Sequence, residues 1–131
     1  MQEELVTLET AKLAKEKEFN WICEYYYEIL HNPITIQRLN NSNKEGFKQP
    51  SAPTQSILQK WLREEHKIHI NITEWEFEKW YFEIIDGRNS PVKRVRTRIE
   101  DGIEWEFNSY EKALEVGLQE ALKLIEIVKN K

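Results

Sequence analysis

The sequence predicts an α+β fold in which helices flank an antiparallel sheet. Three observations lead to this prediction: apolar residues recur at helical spacing in three segments, they alternate with a period of two between these segments, and short turns link them. The predicted order is α-β-β-α-β-β-β-β-α. At 131 residues the chain fits one domain, 1–131, with a helix and hairpin over 1–50 and an α-β-β-β-β-α core over 51–131.

The first fifty residues predict a helix and then a hairpin. Thr7 is suited to N-cap a helix over 7–18. Aromatic and β-branched residues alternate with glutamates over 21–30, which is typical of a strand. His31-Asn32-Pro33 has turn chemistry, so the segment 34–38 can return as a second strand.

A second helix is predicted from about Pro53 or Thr54 to His66, with Ser51 or Thr54 as its N-cap. Its apolar stripe should pack on a sheet and consists of Ile57, Leu58, Trp61 and Leu62. From Ile68 the apolar period changes from helical spacing to two. The chain therefore passes directly from this helix into a strand.

Two antiparallel strands are predicted over 68–73 and 80–85, with one face towards the helices. That face consists of Ile68, Ile70, Ile72, Trp80, Phe82 and Ile84. The alternating positions on the opposite face include Trp75, Phe77, Tyr81 and Ile85. Either the N-terminal segment covers this second set, which is the favoured interpretation, or the set forms an exposed apolar patch suited to a partner or a second subunit.

The side chains of 92–108 select a hairpin register. A two-residue turn would mix core and solvent faces, whereas the loop Glu100-Asp101-Gly102 satisfies both. This register pairs Ile99 with Ile103, Thr97 with Trp105, Val95 with Phe107, Arg98 with Glu104 and Arg96 with Glu106. A last helix is predicted over 109–129 with Ser109 as its N-cap. Gly117 lies in its apolar face, where it would permit close approach to another element.

Composition and motifs argue against several functional classes. The net charge of −4 gives no global attraction to nucleic acid or an anionic membrane, and no segment suits a membrane span or signal peptide. The single cysteine, Cys23, cannot form an intrachain disulfide, so we expect a reducing, cytoplasmic setting. It lies on the apolar face of its predicted strand, so we expect a buried, inert thiol. His66 and His69 lack further ligands for a metal. We predict no cofactor and no enzymatic activity.

The sequence contains one acidic and one basic cluster, and each has two competing interpretations. Glu74, Glu76, Glu78, Glu104 and Glu106 alternate with aromatic residues, which fits a solvated strand face better than paired catalytic carboxylates. The basic residues of 88–98 have two interpretations: a phosphate-binding stripe, or cross-strand ion pairs with Glu104 and Glu106. The ion pairs are the favoured interpretation. Three of these basic residues have no assigned acidic partner. The ligand-binding candidates are therefore Arg88, Lys93 and Arg94, together with Trp75 and Tyr81.

Three segments resemble a family of small uncharacterised proteins of phages, prophages and gut bacteria. They are 7–17 (TLETAKLAKEK), 52–70 (APTQSILQKWLREEHKIHI) and 107–125 (FNSYEKALEVGLQEALKLI). The resemblance implies a small phage-linked protein and makes interference with a host process plausible. It brings no functional residues with it, because the family has no established activity.

Three functional hypotheses follow. The first is a non-enzymatic phage or prophage accessory protein that binds a host macromolecule, in the bacterial cytoplasm, with a host protein or a second copy of itself as partner. It would act in interference with host defence. The second is a nucleotide-binding protein that sequesters a signalling nucleotide of host defence through Arg88, Lys93, Arg94 and an aromatic residue such as Trp75 or Tyr81. The third is a nucleic-acid-binding module, because helix, strands, helix is also the order of double-stranded-RNA-binding domains.

Overall fold

The α+β class is confirmed by a computed structural model that describes residues 4–21, 23–28, 35–38, 50–88, 93–96 and 107–126. Within these ranges the elements are α1 (Leu8–Glu16), β1 (Tyr25–Glu28), β2 (Thr35–Arg38), α2 (Gln55–His66), β3 (Ile68–Glu76), β4 (Lys79–Asp86), β5 (Lys93–Arg96) and α3 (Tyr110–Lys123). The strands form two antiparallel sheets, β1-β2 and β3-β4-β5. The predicted strand over 103–108 lies outside the described residues apart from its last two, so the full strand order stays a prediction.

The helix starts agree with the capping chemistry of the sequence. Thr7, Thr54 and Ser109 are the N-caps, and each side-chain hydroxyl accepts a hydrogen bond from the backbone N–H three residues later. The prediction for the end of α3 is wrong, because the helix stops at Lys123. The N–H of Leu124 then donates to the carbonyl of Ala121, and the N–H of Ile125 donates to the carbonyl of Leu122. The first predicted strand also begins later than predicted, since Trp21, Cys23 and Glu24 precede β1 without strand pairing.

Both α2 and α3 pack on one face of the β3-β4 pair, and the core lies between these layers. The face predicted from the alternation is the one that is buried: Ile68, Ile70, Phe82 and Ile84 are buried, while Ile72 and Trp80 are half-buried. One member of the predicted α2 stripe is an exception, because Ile57 remains 37% exposed. Its side chain lies at the margin of the stripe, beside the buried Leu58.

Gly117 allows α3 to approach the sheet closely, as predicted. A Cβ atom added at this position would lie 3.1 Å from Cγ2 of Ile70 and 3.3 Å from Cγ of Phe82. These separations are shorter than ordinary van der Waals contact. The glycine therefore costs helix propensity but lets the helix backbone sit directly on the β3 and β4 side chains.

The predicted pairing of Val95 with Phe107 is wrong. Val95 lies opposite Ile84, and Phe107 exchanges two backbone hydrogen bonds with Trp80, of 2.8 and 2.9 Å. Both therefore lie on the same edge of β4, since β3 occupies its other edge. Their β4 partners, Ile84 and Trp80, are four residue steps apart, which is about 13 Å at 3.3 Å per step. The other predicted pairs of this hairpin involve residues outside those described.

Candidate functional site

The turn between β3 and β4 projects beyond the layer of helices. Every residue of 73–78 is exposed, whereas the strands are alternately buried closer to their other ends. Glu76 pairs with Lys79 around the two turn residues Phe77 and Glu78, and Glu78 adopts a left-handed conformation with φ of 61°. A carboxylate oxygen of Glu74 accepts the backbone N–H of Glu78 at 3.0 Å. We call residues 74–79 the hairpin tip.

Two large aromatic side chains of the hairpin tip lie in solvent. Phe77 is 83% exposed and Trp75 is 47% exposed, the two highest values among the large hydrophobic residues of the described chain. The strand register shifts between Glu74 and Glu76, with Trp75 between the two paired residues. Bulges of this kind re-aim a side chain at a sheet edge. The strict alternation used in the sequence analysis therefore ends at this point.

The charge of the hairpin tip is predominantly negative. Glu74, Glu76 and Glu78 are accompanied by one cation, Lys79, whose Nζ lies 3.4 Å from Glu76 and 5.6 Å from the centre of the Trp75 ring. The lysine thus serves an ion pair and a cation–π contact within the tip itself. The outward surface combines apolar rings with an acidic border.

The sequence favoured coverage of the outward face of β3 and β4 by the N-terminal strands. The described residues do not show such coverage over β3. His69, Asn71 and Thr73 are exposed, so none of the described segments lies over them. The hydroxyl of Tyr27 in β1 instead donates to the carbonyl of Val6 at 2.7 Å, and β1 also bridges to Ser51 just before α2. Tyr81 and Ile85 in β4 are half-buried, so exposure is concentrated at the hairpin tip.

Arg88 has an acidic partner that was not predicted from the sequence. Its Nε and Nη2 atoms donate to the two carboxylate oxygens of the buried Asp86 at 2.9 and 2.7 Å, and Nη2 also donates to the carbonyl of Leu124 at 3.2 Å. The hydrogen bonding to Asp86 raises the pKa of the guanidinium. The spacing Asp-Gly-Arg was the available signal. Arg88 therefore joins the end of β4 to the end of α3.

The five candidate binding residues do not converge on one location. Arg88 follows the end of β4, and Lys93 and Arg94 lie opposite Asp86 and Ile85 at that same end. Trp75 lies at the other end, beside the pairing of Glu74 with Trp80. Trp80 and Asp86 are six residue steps apart along β4, which is about 20 Å at 3.3 Å per step. A nucleotide pocket that used both groups would have to extend along most of the sheet.

The remaining titratable candidates lie in packed surroundings. Burial raises the pKa of the Cys23 thiol, which is the expected setting for an inert cysteine. His66 packs edge-on against Trp61 with ring centres 4.6 Å apart, and burial followed by the charge of Arg88 lowers its pKa. Within the described ranges no three His, Cys, Asp or Glu side chains form a group that could hold a metal ion.

A polar cluster around Glu115 joins the three helices and was not predicted. One carboxylate oxygen accepts the N–H and hydroxyl of Thr7, at 3.0 and 2.9 Å, and the hydroxyl of Thr10. The other accepts the side-chain amide of Gln55 at 3.0 Å. The residues lie far apart in the sequence, so no local pattern indicates the cluster. With every contact directed at another helix, its effect is to dock α1 and the start of α2 on α3.

No protein-family model, curated protein or solved structure matches this chain. None of the helices in the described ranges has both the length and the apolar character needed to cross a membrane.

Proposed function

We propose that the protein binds a host protein through the hairpin tip and acts without catalysing a reaction. The observation that carries the proposal is the exposure of Phe77 and Trp75, at 83% and 47%, on a turn that projects from the sheet. Large aromatic side chains dominate binding energy when a partner encloses them, and truncating such an anchor costs on the order of 2 kcal/mol or more. A projecting tip suits a concave partner surface.

The charge of the tip favours a protein over a nucleic acid as the partner. Three glutamates border the rings, and the one lysine among them is already paired with Glu76. Polyanions bind proteins through cations that neutralise their phosphates, so this border would oppose them. It would attract an apolar pocket rimmed by lysine or arginine, because complementary charge increases the association rate and disfavours other partners.

The setting proposed for this interaction is that of a phage or prophage accessory protein in a bacterial host. This part rests on the resemblance of the segments 7–17, 52–70 and 107–125 to the small phage-linked family. Interference with host defence through a bound host protein fits a small domain in which the two most exposed of the described large apolar residues lie on one turn.

The test is quantitative capture of host proteins on immobilised wild-type protein and on the double variant Trp75→Ala/Phe77→Ala. We expect a host protein to be retained by the wild type and lost with the double variant, with wild-type circular dichroism in both. The matched control is Ile57→Ala, which removes another exposed apolar side chain at 37% exposure, away from the tip. Equal capture by wild type and double variant, or no specific capture at all, would reject the hairpin tip as the binding surface.

A further inference from the structure

No described strand pairs with the outer edge of β3, which leaves its backbone groups available for pairing within the described part of the chain. In the β3-β4-β5 sheet, β3 is hydrogen-bonded to β4 alone among the described strands. Trp80 directs its N–H and carbonyl to Phe107, away from β3, so alternate β4 residues from Tyr81 onward direct theirs towards β3. It follows that the backbone groups of Ile70, Ile72 and Glu74 point away from β4, to the outer side.

A side-chain contact from α2 agrees with this direction. The amide of Gln59 donates to the carbonyl of Ile70 at 2.8 Å. A carbonyl oxygen has a second lone pair, so this contact leaves Ile70 able to accept another hydrogen bond. The register shift beyond Glu74 ends the regular part of the strand. The pairable stretch 70–74 is thus centred on Ile72.

Charge is distributed unequally along this edge. Exposed Arg63 and Lys67 lie at the end where α2 passes into β3, and Arg63 is one helical turn after Gln59. Exposed Glu74 and Glu76 lie at the other end. Charged edge residues oppose indiscriminate strand pairing. An antiparallel pair of identical strands would place each acidic end beside the basic end of the other copy, whereas a parallel pair would place acids beside acids.

We propose that two copies of this chain associate through their β3 edges, antiparallel and about a two-fold axis at Ile72. In this arrangement Ile72 lies opposite the partner's Ile72, and Glu74 lies opposite the partner's Ile70. The same surface serves both copies, as in an isologous dimer, and the two charged ends complement each other twice. The ladder leaves Phe77 outside it. The dimer goes beyond the binding proposed for the hairpin tip, with which it shares Glu74 and Glu76.

Sedimentation equilibrium of the full chain tests the proposal. We expect the wild type to approach twice its 15.8 kDa, about 32 kDa, as concentration rises. Two variants of single sign are designed: Glu74→Lys/Glu76→Lys, which makes both ends basic, and Arg63→Glu/Lys67→Glu, which makes both ends acidic. Each should weaken its own self-association at least tenfold, because like charges then meet twice.

Mixing the two variants in equal amounts provides the decisive control. A basic copy and an acidic copy meet with opposite charges at both ends, so a heterodimer of about 32 kDa should form, although each variant alone is monomeric. Circular dichroism establishes that each variant is folded. A wild type that stays at 15.8 kDa, variants that dimerise as well as the wild type, or a mixture that stays monomeric would each overturn the proposal.

Discussion

The two halves of β3 show how one strand can serve different purposes. Over Ile68–Ile72, burial alternates and the inward side chains pack under α2 and α3. Over Thr73–Glu76, every side chain is exposed. Both halves are paired with β4, so hydrogen bonding does not distinguish them. The helices do: they cover the first half, which is therefore part of the core, and they leave the second half exposed.

The largest effect on stability should come from the half of β3 that the helices cover, Ile68–Ile72, and its partners in β4; we call this the covered half. Phe82 lies opposite Ile72 and is fully buried against α3. Phe82→Ala removes a buried ring and leaves a cavity, so we expect the free energy of unfolding to fall by about 3–5 kcal/mol. Urea denaturation followed by tryptophan fluorescence measures this change. A loss below about 1 kcal/mol would mean that the core is not organised around this contact.

A second substitution tests the contact between α3 and the covered half from the helix side. Gly117→Val would place a Cβ atom 3.1 Å from Ile70 and add two methyl groups beyond it. Overpacking of this kind costs about 1–3 kcal/mol, which exceeds the gain in helix propensity. The control is Val116→Ala at the neighbouring half-buried position, which should change the thermal midpoint less. Equal or greater stability of Gly117→Val would contradict the close approach.

His66, at the junction between α2 and β3, should make the free energy of unfolding depend on pH. The pKa of His66 is lowered from 6.5 in the folded protein, so the unfolded chain binds a proton more readily. The contribution of neutral His66 to the free energy of unfolding is therefore complete above pH 6.5. It is lost as the pH falls below that value and the unfolded chain takes up the proton first. Urea midpoints between pH 8 and pH 5 should decline less in His66→Asn than in the wild type. Identical slopes would show that His66 is not responsible.

The smallest effect on stability should come from the exposed half. Phe77→Ala removes the same side chain as Phe82→Ala, but from a position that is 83% exposed. Substitutions at such positions usually stay within about 0.5 kcal/mol. Paired denaturation curves of the two alanine variants therefore measure the difference between the two halves directly. A loss near that of Phe82→Ala would mean that the hairpin tip is part of the folding core, and the tip would then be a poor candidate for a binding surface.

Local signals along the chain anticipated the parts of the fold that depend on neighbouring residues. The hydroxyl caps at Thr7, Thr54 and Ser109 lie where each helix begins. Each such signal acts within one turn or one strand pair, so it can be recognised without knowing the rest of the chain. The end of α3 was less predictable, because apolar spacing continues past Lys123 without a residue that stops the helix.

The candidate site depended on information of another kind. The sequence singled out Trp75 among its binding candidates and noted Phe77 on the same parity, but it favoured coverage of both by the N-terminal strands. It also left Arg88 without an acidic partner, although Asp86 stands two residues earlier. Burial of Asp86 gives that contact its importance, and burial depends on which elements pack over the end of β4.

By itself, therefore, the sequence determined the class of the fold, the starts of its helices and the buried face of β3 and β4, because periodicity and capping are short-range properties. Only the tertiary structure decided that α1 docks on α3 through Glu115, that Val95 and Phe107 lie apart along one edge, and that β3 outruns the helices. These features depend on where distant segments meet. That is also why the hairpin tip and the outer edge of β3 could be proposed as partner surfaces only once the packing of the helices on the sheet was known.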